Sequence, residues 1–408
     1  MTMNYSLCFP ENKLQGKIYL PSSKSISSRL LIIRALSSND FPIKGLSDSD
    51  DTQVLQKGLQ SQSDIIDVGH AGTSMRFITA YFAATCQAKT VTGSERMKNR
   101  PISDLVDALN QLGADIKYLE KIGYPPILTS GKSISGNTIE INGTVSSQFI
   151  SAMLLIAPTL PHGLTIKIKG QPVSASYINM TQKLMKQAGV NSVYDKNTIT
   201  IARQNYYSEG MCVERDWSAA SYWYQMAILA NDAEIMLEGL TEKSLQGDSI
   251  ISQIAIQLGI NTEYTPEGAI LTKQKNYCTT FGYDFINAPD LVQTMAVTCC
   301  LKNTHFRFVG VENLRVKETD RIAALQTELF KLGYCVKEKK SGMIEWFGER
   351  IEPKRKISIS TYNDHRMAMA FAPAAIIFPE LNIEDAGVVS KSYPNFWKDL
   401  KNVGVVIR

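Results

Sequence analysis

The sequence predicts an α/β protein of two domains, built from six copies of one unit, and three observations carry that prediction. The chain has 408 residues, too many for one ordinary core, so two domains are expected. Two kinds of helix-like segment recur along it at nearly constant spacing. Short β-branched stretches such as GLTIKIKG and NTITIA separate or follow them.

The first kind of segment begins with small or polar residues and runs into an almost wholly apolar helix. In order these are SSKSISSRLLIIRAL, AGTSMRFITAYFAA, VSSQFISAMLLIA, DWSAASYWYQMAILA, APDLVQTMAVTCCL and NDHRMAMAFAPAAIIF. Ser25, Thr73, Ser147, Ser218, Asp290 and Asp364 mark them, at intervals of 48, 74, 71, 72 and 74 residues. Such helices must be buried on every side. The second kind is an amphipathic helix ending in glycine: LVDALNQLG, TQKLMKQAG, SQIAIQLG, QTELFKLG and DLKNVG. Gly113, Gly189, Gly259, Gly333 and Gly404 end them, at intervals of 76, 70, 74 and 71 residues. Glycine there suits a left-handed C-cap. The chain thus reads as six units of about 72 residues, with the first short by about 24.

Composition narrows the class. Hydrophobic content of 44% and charged content of 20% are globular values. With 43 Lys and Arg against 39 Asp and Glu, the net charge of +4 suits small anions and is too weak to argue for nucleic acid. Seven cysteines without metal-ligand spacing predict reduced, mostly buried thiols in a cytoplasmic protein. The start, MTMNYSLCFPEN, lacks a signal-peptide pattern, and no apolar run reaches membrane-spanning length, so a soluble cytosolic protein is expected.

The chemistry is concentrated at helix starts. Five of the seven residues Arg315–Val316–Lys317–Glu318–Thr319–Asp320–Arg321 are charged, and they open a helix-like run. Lys317 and Arg321 are spaced i, i+4, so they would share one face in a first turn whose dipole disfavours cations. Such an arrangement calls for an anion between them; a solvated helix start is the plain alternative. Lys24, Ser25 and Arg29 open the first buried helix, and Thr73 and Arg76 the second. Ser146, Ser147 and Gln148 open the third. Asp216, Asp290 and the trio Asp364, His365 and Arg366 open the others. Ser147, Ser218, Asp290 and Asp364 also suit N-caps, but arginine and lysine cannot cap. Cationic helix starts gathered together would bind phosphates and carboxylates, and Gly72 would let backbone N–H groups approach such an anion. His162 and His305 read as surface residues. No GxxxxGK[ST], GxGxxG after a strand, HExxH or paired CxxC is present, so nucleotide and zinc chemistry are not indicated.

These segments resemble the 5-enolpyruvylshikimate-3-phosphate synthase family over nearly the whole chain. The resemblance rests on LPSSKSISSRLLIIRAL, DSDD at 48–51, AGTSMR at 71–76, GSERMKNRPISDLVDAL at 93–109 and VSSQFISAMLLIAP at 145–158. It continues through QGD at 246–248, LRVKETDRI at 314–322, TYNDHRMAMAF at 361–371 and KSYPNF at 391–396. It implies an inside-out α/β barrel of two domains, each of three βαβαββ-type units with parallel helices inside and sheets outside. Helix N-termini would point into the cleft between the domains. The implied boundaries are 1–18 with 214–408 for one domain and 19–213 for the inserted one.

The resemblance further implies that phosphoenolpyruvate and shikimate 3-phosphate react by addition and elimination, giving the enolpyruvyl ether and phosphate. Asp290 would be the base for the 5-hydroxyl, Glu318 the acid/base at C3, and Lys24 would touch both substrates. Gly72, Arg100, Gln148 and Lys391 would hold the phosphate side of phosphoenolpyruvate, and Arg321 and Arg366 its carboxylate. Ser25, Arg29, Ser146, Ser147, Gln148, Ser174, Asn313 and Lys317 would bind shikimate 3-phosphate, with Tyr177 flanking its ring and His365 in support. No metal or organic cofactor, nucleic acid or membrane partner is implied, and a monomer is expected. Glyphosate competes with phosphoenolpyruvate in this family.

Three positions depart from the family: His70 for a frequent asparagine, Phe77 for a common proline and Arg215 for a usual glycine. None is expected to touch a residue implied to bind substrate. Two alternatives remain. The UDP-N-acetylglucosamine enolpyruvyl transferases share the fold, but the SKS…SR and VSSQF segments resemble the shikimate enzymes. A six-repeat DNA clamp would spread its lysines and arginines along helix faces rather than at helix starts.

Overall fold

The computed structural model describes residues 3–340 and 342–408. The chain divides into two compact units, Met1–Ser22 with Glu214–Arg408 and Ser23–Val213. The strand Lys13–Tyr19 pairs in parallel with Asp232–Glu238 along its full length, so the chain leaves the discontinuous unit after Ser22 rather than at residue 18. The returning segment adheres to this strand: the Asp216 N–H donates to Pro21 O at 2.9 Å. The Arg215 guanidinium lies 3.7 Å from the Tyr19 ring centroid, a cation–π contact that glycine could not make.

The inserted unit contains α1 (Lys24–Leu36), α2 (Asp50–Gln60), α3 (Gly72–Ala84), α4 (Glu95–Lys98), α5 (Ser103–Gln111), α6 (Ser147–Ile156) and α7 (Ala175–Gln187). The discontinuous unit contains α8 (Trp217–Leu229), α9 (Ile251–Gln257), α10 (Val292–Leu301), α11 (Arg321–Lys331), α12 (His365–Phe371) and α13 (Phe396–Asn402). The apolar helices are the inner ones. Every residue of α10 and of α12 is buried, and α1, α3 and α6 touch one another, as α10 touches α8 and α12. Apolar periodicity puts α11 half inside, through Ile322, Ala324, Leu325 and Leu329. Helix α12 is shorter than its apolar run because Pro373 lacks an N–H, and the chain continues as a 3-10 turn over Ala372–Ile376.

Gly113, Gly189, Gly259, Gly333 and Gly404 take φ of +85° to +100°, the left-handed termination that the repeat predicts. The sixth amphipathic helix, α2, was not visible in that pattern because it ends at Gln60 without a glycine.

Among the described residues five sheets have four strands each, and all five share one pattern: a parallel pair extended by two antiparallel pairings. Thr280–Asp284, His305–Val309, Met343–Trp346 and Lys337–Lys340 are one example. The sixth sheet keeps only the parallel pair Ile43–Lys44 with Met211–Cys212. The short first unit has therefore lost the hairpin that follows the amphipathic helix elsewhere. The six sheets stay separate, so the expected barrel is not closed by strand pairing. His305, expected at the surface, begins a strand and packs edge-on against Trp346 at 5.8 Å. Only Cys299 and Cys300 of the seven cysteines are buried, fewer than expected, because the others lie at element ends or in connections. Among the described residues no helix is long and apolar enough to cross a membrane.

Candidate active site

The charged run around Arg321 does not form the helix face that spacing suggests. Glu312–Val316 is a 3-10 turn and Lys317 is extended, so α11 begins only at Arg321. Asp320 caps α11 by accepting from Ala323 N at 3.1 Å and pairs with Arg315 at 2.7 Å. Lys317 and Arg321 therefore share no helical face. The anions that relieve Arg321 at its unfavourable N-terminal position are the protein's own.

Arg321 is 2% exposed and is held by three carboxylates. Its Nε donates to Asp364 at 2.7 Å, its Nη1 to Asp290 at 3.0 Å and its Nη2 to Glu318 at 3.0 Å. A second Nη2 bond reaches Asp364 at 3.4 Å. Four of the five guanidinium donors are thereby engaged. Burial opposes the Arg321 charge, but Asp364, Glu318 and Asp290 outweigh it and raise the pKa. The alternation continues outward. Arg366 pairs with the other Asp290 oxygen at 2.9 Å, and Lys391 with the other Glu318 oxygen at 3.0 Å. Asp290 lies within the 3-10 turn Pro289–Leu291, whose N-cap position is Ala288, and Leu291 is the N-cap position of α10, so Asp290 does not stand where the cap reading puts it. Asp364 is both cap and ligand, since it also accepts from Arg366 N at 2.9 Å. His365, 1% exposed, follows it.

Behind Arg366 lies Asp248 of the QGD segment. Its carboxylate, 4% exposed, takes a short hydrogen bond from Ser218 Oγ, and Arg366 Nη2 reaches the same hydroxyl at 3.5 Å. Ser218 is thus not the cap of α8; Asp216 is, through Ala219 N at 2.9 Å. Burial, aided by Asp290, pushes Asp248 up to about 7. Between the unfolded value near 3.9 and this one, the folded state holds the extra proton, so stability falls as pH rises through that window. Asp248→Asn cannot ionise. Its melting temperature relative to wild type is expected to rise from pH 5 to pH 8, by differential scanning calorimetry; a difference that does not change with pH would refute the assignment.

The inserted unit carries the second cluster. Lys24 Nζ pairs with Asp51 at 2.9 Å. Arg29 donates to Thr181 Oγ1 at 2.7 Å, Ser25 O at 2.9 Å and Ser151 Oγ at 3.2 Å. Its guanidinium carbon lies 5.5 Å from the Phe77 ring and 5.6 Å from the Tyr177 ring, and burial lowers it to about 10. Phe77 therefore does touch a residue of the implied set, because its ring fills the space against Arg29. Gly72 opens α3 directly beneath Arg100: a Cβ on Gly72 would lie 2.5 Å from Arg100 Nη1 and 2.7 Å from Nη2. Gln148 Nε2 donates to Thr73 Oγ1 at 3.2 Å. Ser146, not Ser147, caps α6, through Gln148 N at 3.3 Å. Ser174 precedes α7 in a left-handed conformation, φ +56°.

The structure brings Asp290, Glu318, Arg321, Arg366 and Lys391 into one network. Asn313 and Lys317 lie just upstream, in and after the 3-10 turn. Sequence reasoning missed Asp51, Ser151 and Thr181 as partners of basic residues, and Asp364 as a ligand of Arg321. Partners 27 to 152 residues apart in the chain leave no local spacing signal. Among the described residues no group of three or more His, Cys, Asp or Glu is placed to hold a metal ion.

Comparisons with known proteins agree with one another. The family described as EPSP synthase (3-phosphoshikimate 1-carboxyvinyltransferase) matches residues 55–400. A 3-phosphoshikimate 1-carboxyvinyltransferase of Bacteroides fragilis (strain YCH46) is 48% identical over 407 residues, covering 100% of this chain and 99% of that protein. The protein of that name from Shewanella amazonensis is 34% identical over 426 residues, covering 97% of each. The solved EPSP synthase of Acinetobacter baumannii superposes with a TM-score of 0.77 at 18% identity over the full length of both chains, a likeness of fold. With this coverage and identity over the whole sequence, the chain belongs to the EPSP synthase (3-phosphoshikimate 1-carboxyvinyltransferase) family.

Proposed function

We propose that Asp290 and Glu318 carry the proton transfers of the 1-carboxyvinyl transfer to 3-phosphoshikimate that this chain, as a member of its family, catalyses. The observation that carries the reading is the shared guanidinium: Arg321 bonds both carboxylates at 3.0 Å. The reaction needs a base for the 5-hydroxyl and an acid for C3 of phosphoenolpyruvate, with the roles reversed when the tetrahedral intermediate loses phosphate. In this reading Asp290 is the base and Glu318 the acid/base at C3.

Arg321 and Arg366 take the carboxylate of phosphoenolpyruvate. Because four Arg321 donors are already engaged, a bidentate grip displaces at least one of these bonds, and in this reading it is that of Asp290 or Glu318. A carboxylate that leaves a guanidinium becomes the stronger base. Substrate binding thereby activates the group that needs to accept a proton. Lys24 touches both substrates. Gly72, Arg100, Gln148 and Lys391 hold the phosphate of phosphoenolpyruvate, and Ser25, Arg29, Ser146, Ser147, Ser174, Tyr177, Asn313 and Lys317 hold shikimate 3-phosphate. The enzyme acts as a cytoplasmic monomer without a cofactor. Continuous phosphate release, with each substrate omitted in turn, tests the reading; release without shikimate 3-phosphate would refute it.

Gly72→Ala tests the phosphate end. The new methyl cannot coexist with the Arg100 guanidinium in its present place, so Arg100 must shift. The KM for phosphoenolpyruvate is expected to rise by about tenfold, since one methyl group is worth roughly 1–3 kcal/mol. The glyphosate inhibition constant should rise further, because glyphosate is the longer molecule. Both constants are measured at matched phosphoenolpyruvate saturation, and an unchanged KM would separate Gly72 and Arg100 from the phosphate.

A further inference from the structure

The segment that delivers Asp364 and Arg366 is a tight turn in an unfavourable conformation. Tyr362 and Asn363 have φ of +55° and +56°. The Asp364 N–H donates to Thr361 O at 2.9 Å, closing the turn around them. Two central residues with positive φ are the mark of a type I′ turn, which favours Asn and Gly. Asparagine tolerates this region; tyrosine pays for it sterically, since its Cβ crowds the neighbouring carbonyl. A bulky residue held there needs outside support.

Glu328 on α11 supplies it. Its side chain is 0% exposed, an unusual place for a carboxylate. Oε1 accepts from the Tyr362 hydroxyl at 2.6 Å, and Oε2 accepts from Ser360 N at 3.2 Å, so one carboxylate holds both the residue that leads into the turn and the first of its two left-handed residues. Lys331, one turn along α11, neutralises it at 2.7 Å and also donates to Ser358 O at 2.9 Å. The same helix begins at Arg321, whose Nε bonds Asp364 at 2.7 Å. Helix α11 thus touches the turn twice, through Glu328 at its base and through Arg321 at the residue it presents.

We propose that Glu328 is a positioning residue for the reaction, holding the left-handed Tyr362–Asn363 turn so that Asp364 and Arg366 are set against Arg321 and Asp290. The inference rests on the assignment of Arg366 to the phosphoenolpyruvate carboxylate. The tyrosine ring carries the hydroxyl that Glu328 grips, and the grip offsets the strain of the conformation.

Steady-state kinetics on Glu328→Ala, Tyr362→Gly and the double variant test it. Glu328→Ala is expected to raise the KM for phosphoenolpyruvate on the order of tenfold, the scale of a small misplacement of a substrate clamp. The KM for shikimate 3-phosphate should change less than about threefold. Glycine adopts positive φ without help, so Tyr362→Gly in the Glu328→Ala background should restore most of the loss. A loss that glycine does not restore, or an unchanged KM in Glu328→Ala, would overturn the proposal. If Glu328→Ala folds poorly, Glu328→Gln keeps the volume and one acceptor oxygen, and the same rescue is read there. Hydrogen exchange of the Asp364 amide reports the turn without reference to substrate: faster in Glu328→Ala and slowed again in the double variant. Arg366→Ala with an unchanged KM for phosphoenolpyruvate would sink the assignment of Arg366 alone, while amide exchange would still decide the turn.

Discussion

Glu318→Gln is expected to bind both substrates and to turn over at least on the order of 10²-fold more slowly, the range for a lost general acid/base. The amide keeps the shape of the side chain and an oxygen that can accept from Arg321 Nη2, now at 3.0 Å. On the proposed assignment it loses the proton that C3 must receive, and it loses the charge that pairs with Lys391 at 3.0 Å. Lys391 would then face an amide N–H or O, so its own position is a secondary casualty. The two effects separate by pH. Loss of the acid/base removes one limb of the kcat profile, whereas displacement of Lys391 raises the KM for phosphoenolpyruvate at every pH. Steady-state rates across pH, with fluorescence-monitored binding, decide between them. Near-wild-type turnover would take Glu318 out of the chemistry.

Arg321→Met should be costly to the fold as well as to the reaction. Methionine fills part of the volume and supplies no donor. Asp364, 0% exposed, would lose its bonds at 2.7 and 3.4 Å and remain buried. Asp290 and Glu318 keep Arg366 and Lys391, so the burden falls on Asp364. Removing one partner of a buried ion pair costs roughly 3–5 kcal/mol, because the charge left behind has no compensation. Arg321→Lys should fall between the two proteins in stability and close to Arg321→Met in turnover. A lysine has one nitrogen and cannot span three carboxylates. Urea unfolding midpoints test the first statement and phosphate release the second. A midpoint for Arg321→Met within error of wild type would mean that the network does not stabilise this unit.

The repeat was legible in the sequence because it is written in local physics. Helix burial depends on which residues are apolar, and a left-handed terminus depends on a glycine. Both can be read at a single place in the chain, and both recur. The lost hairpin of the first unit was legible for the same reason, as a short interval between Ser25 and Thr73. Helix α2 was harder to see, because it ends without a glycine.

The charged residues behave differently. Their types and order, RVKETDR and TYNDHRM, are in the sequence and suffice to identify the family. Their roles as neighbours are not. Spacing alone would place Lys317 and Arg321 on one helix face, but Asp320 caps the helix and Lys317 stays outside it. A cation at a helix start does call for an anion. Which anion is decided by Asp290, Glu318 and Asp364, brought from 31, 3 and 43 residues away. The same holds for Glu328, which reads as one more polar residue of an amphipathic helix until its carboxylate is seen gripping Tyr362, 34 residues on. Amphipathic pattern and caps act over one or two turns, so the chain states them directly. Coulomb and hydrogen-bond partners need only to be close in space, and that closeness exists once the inner helices have packed.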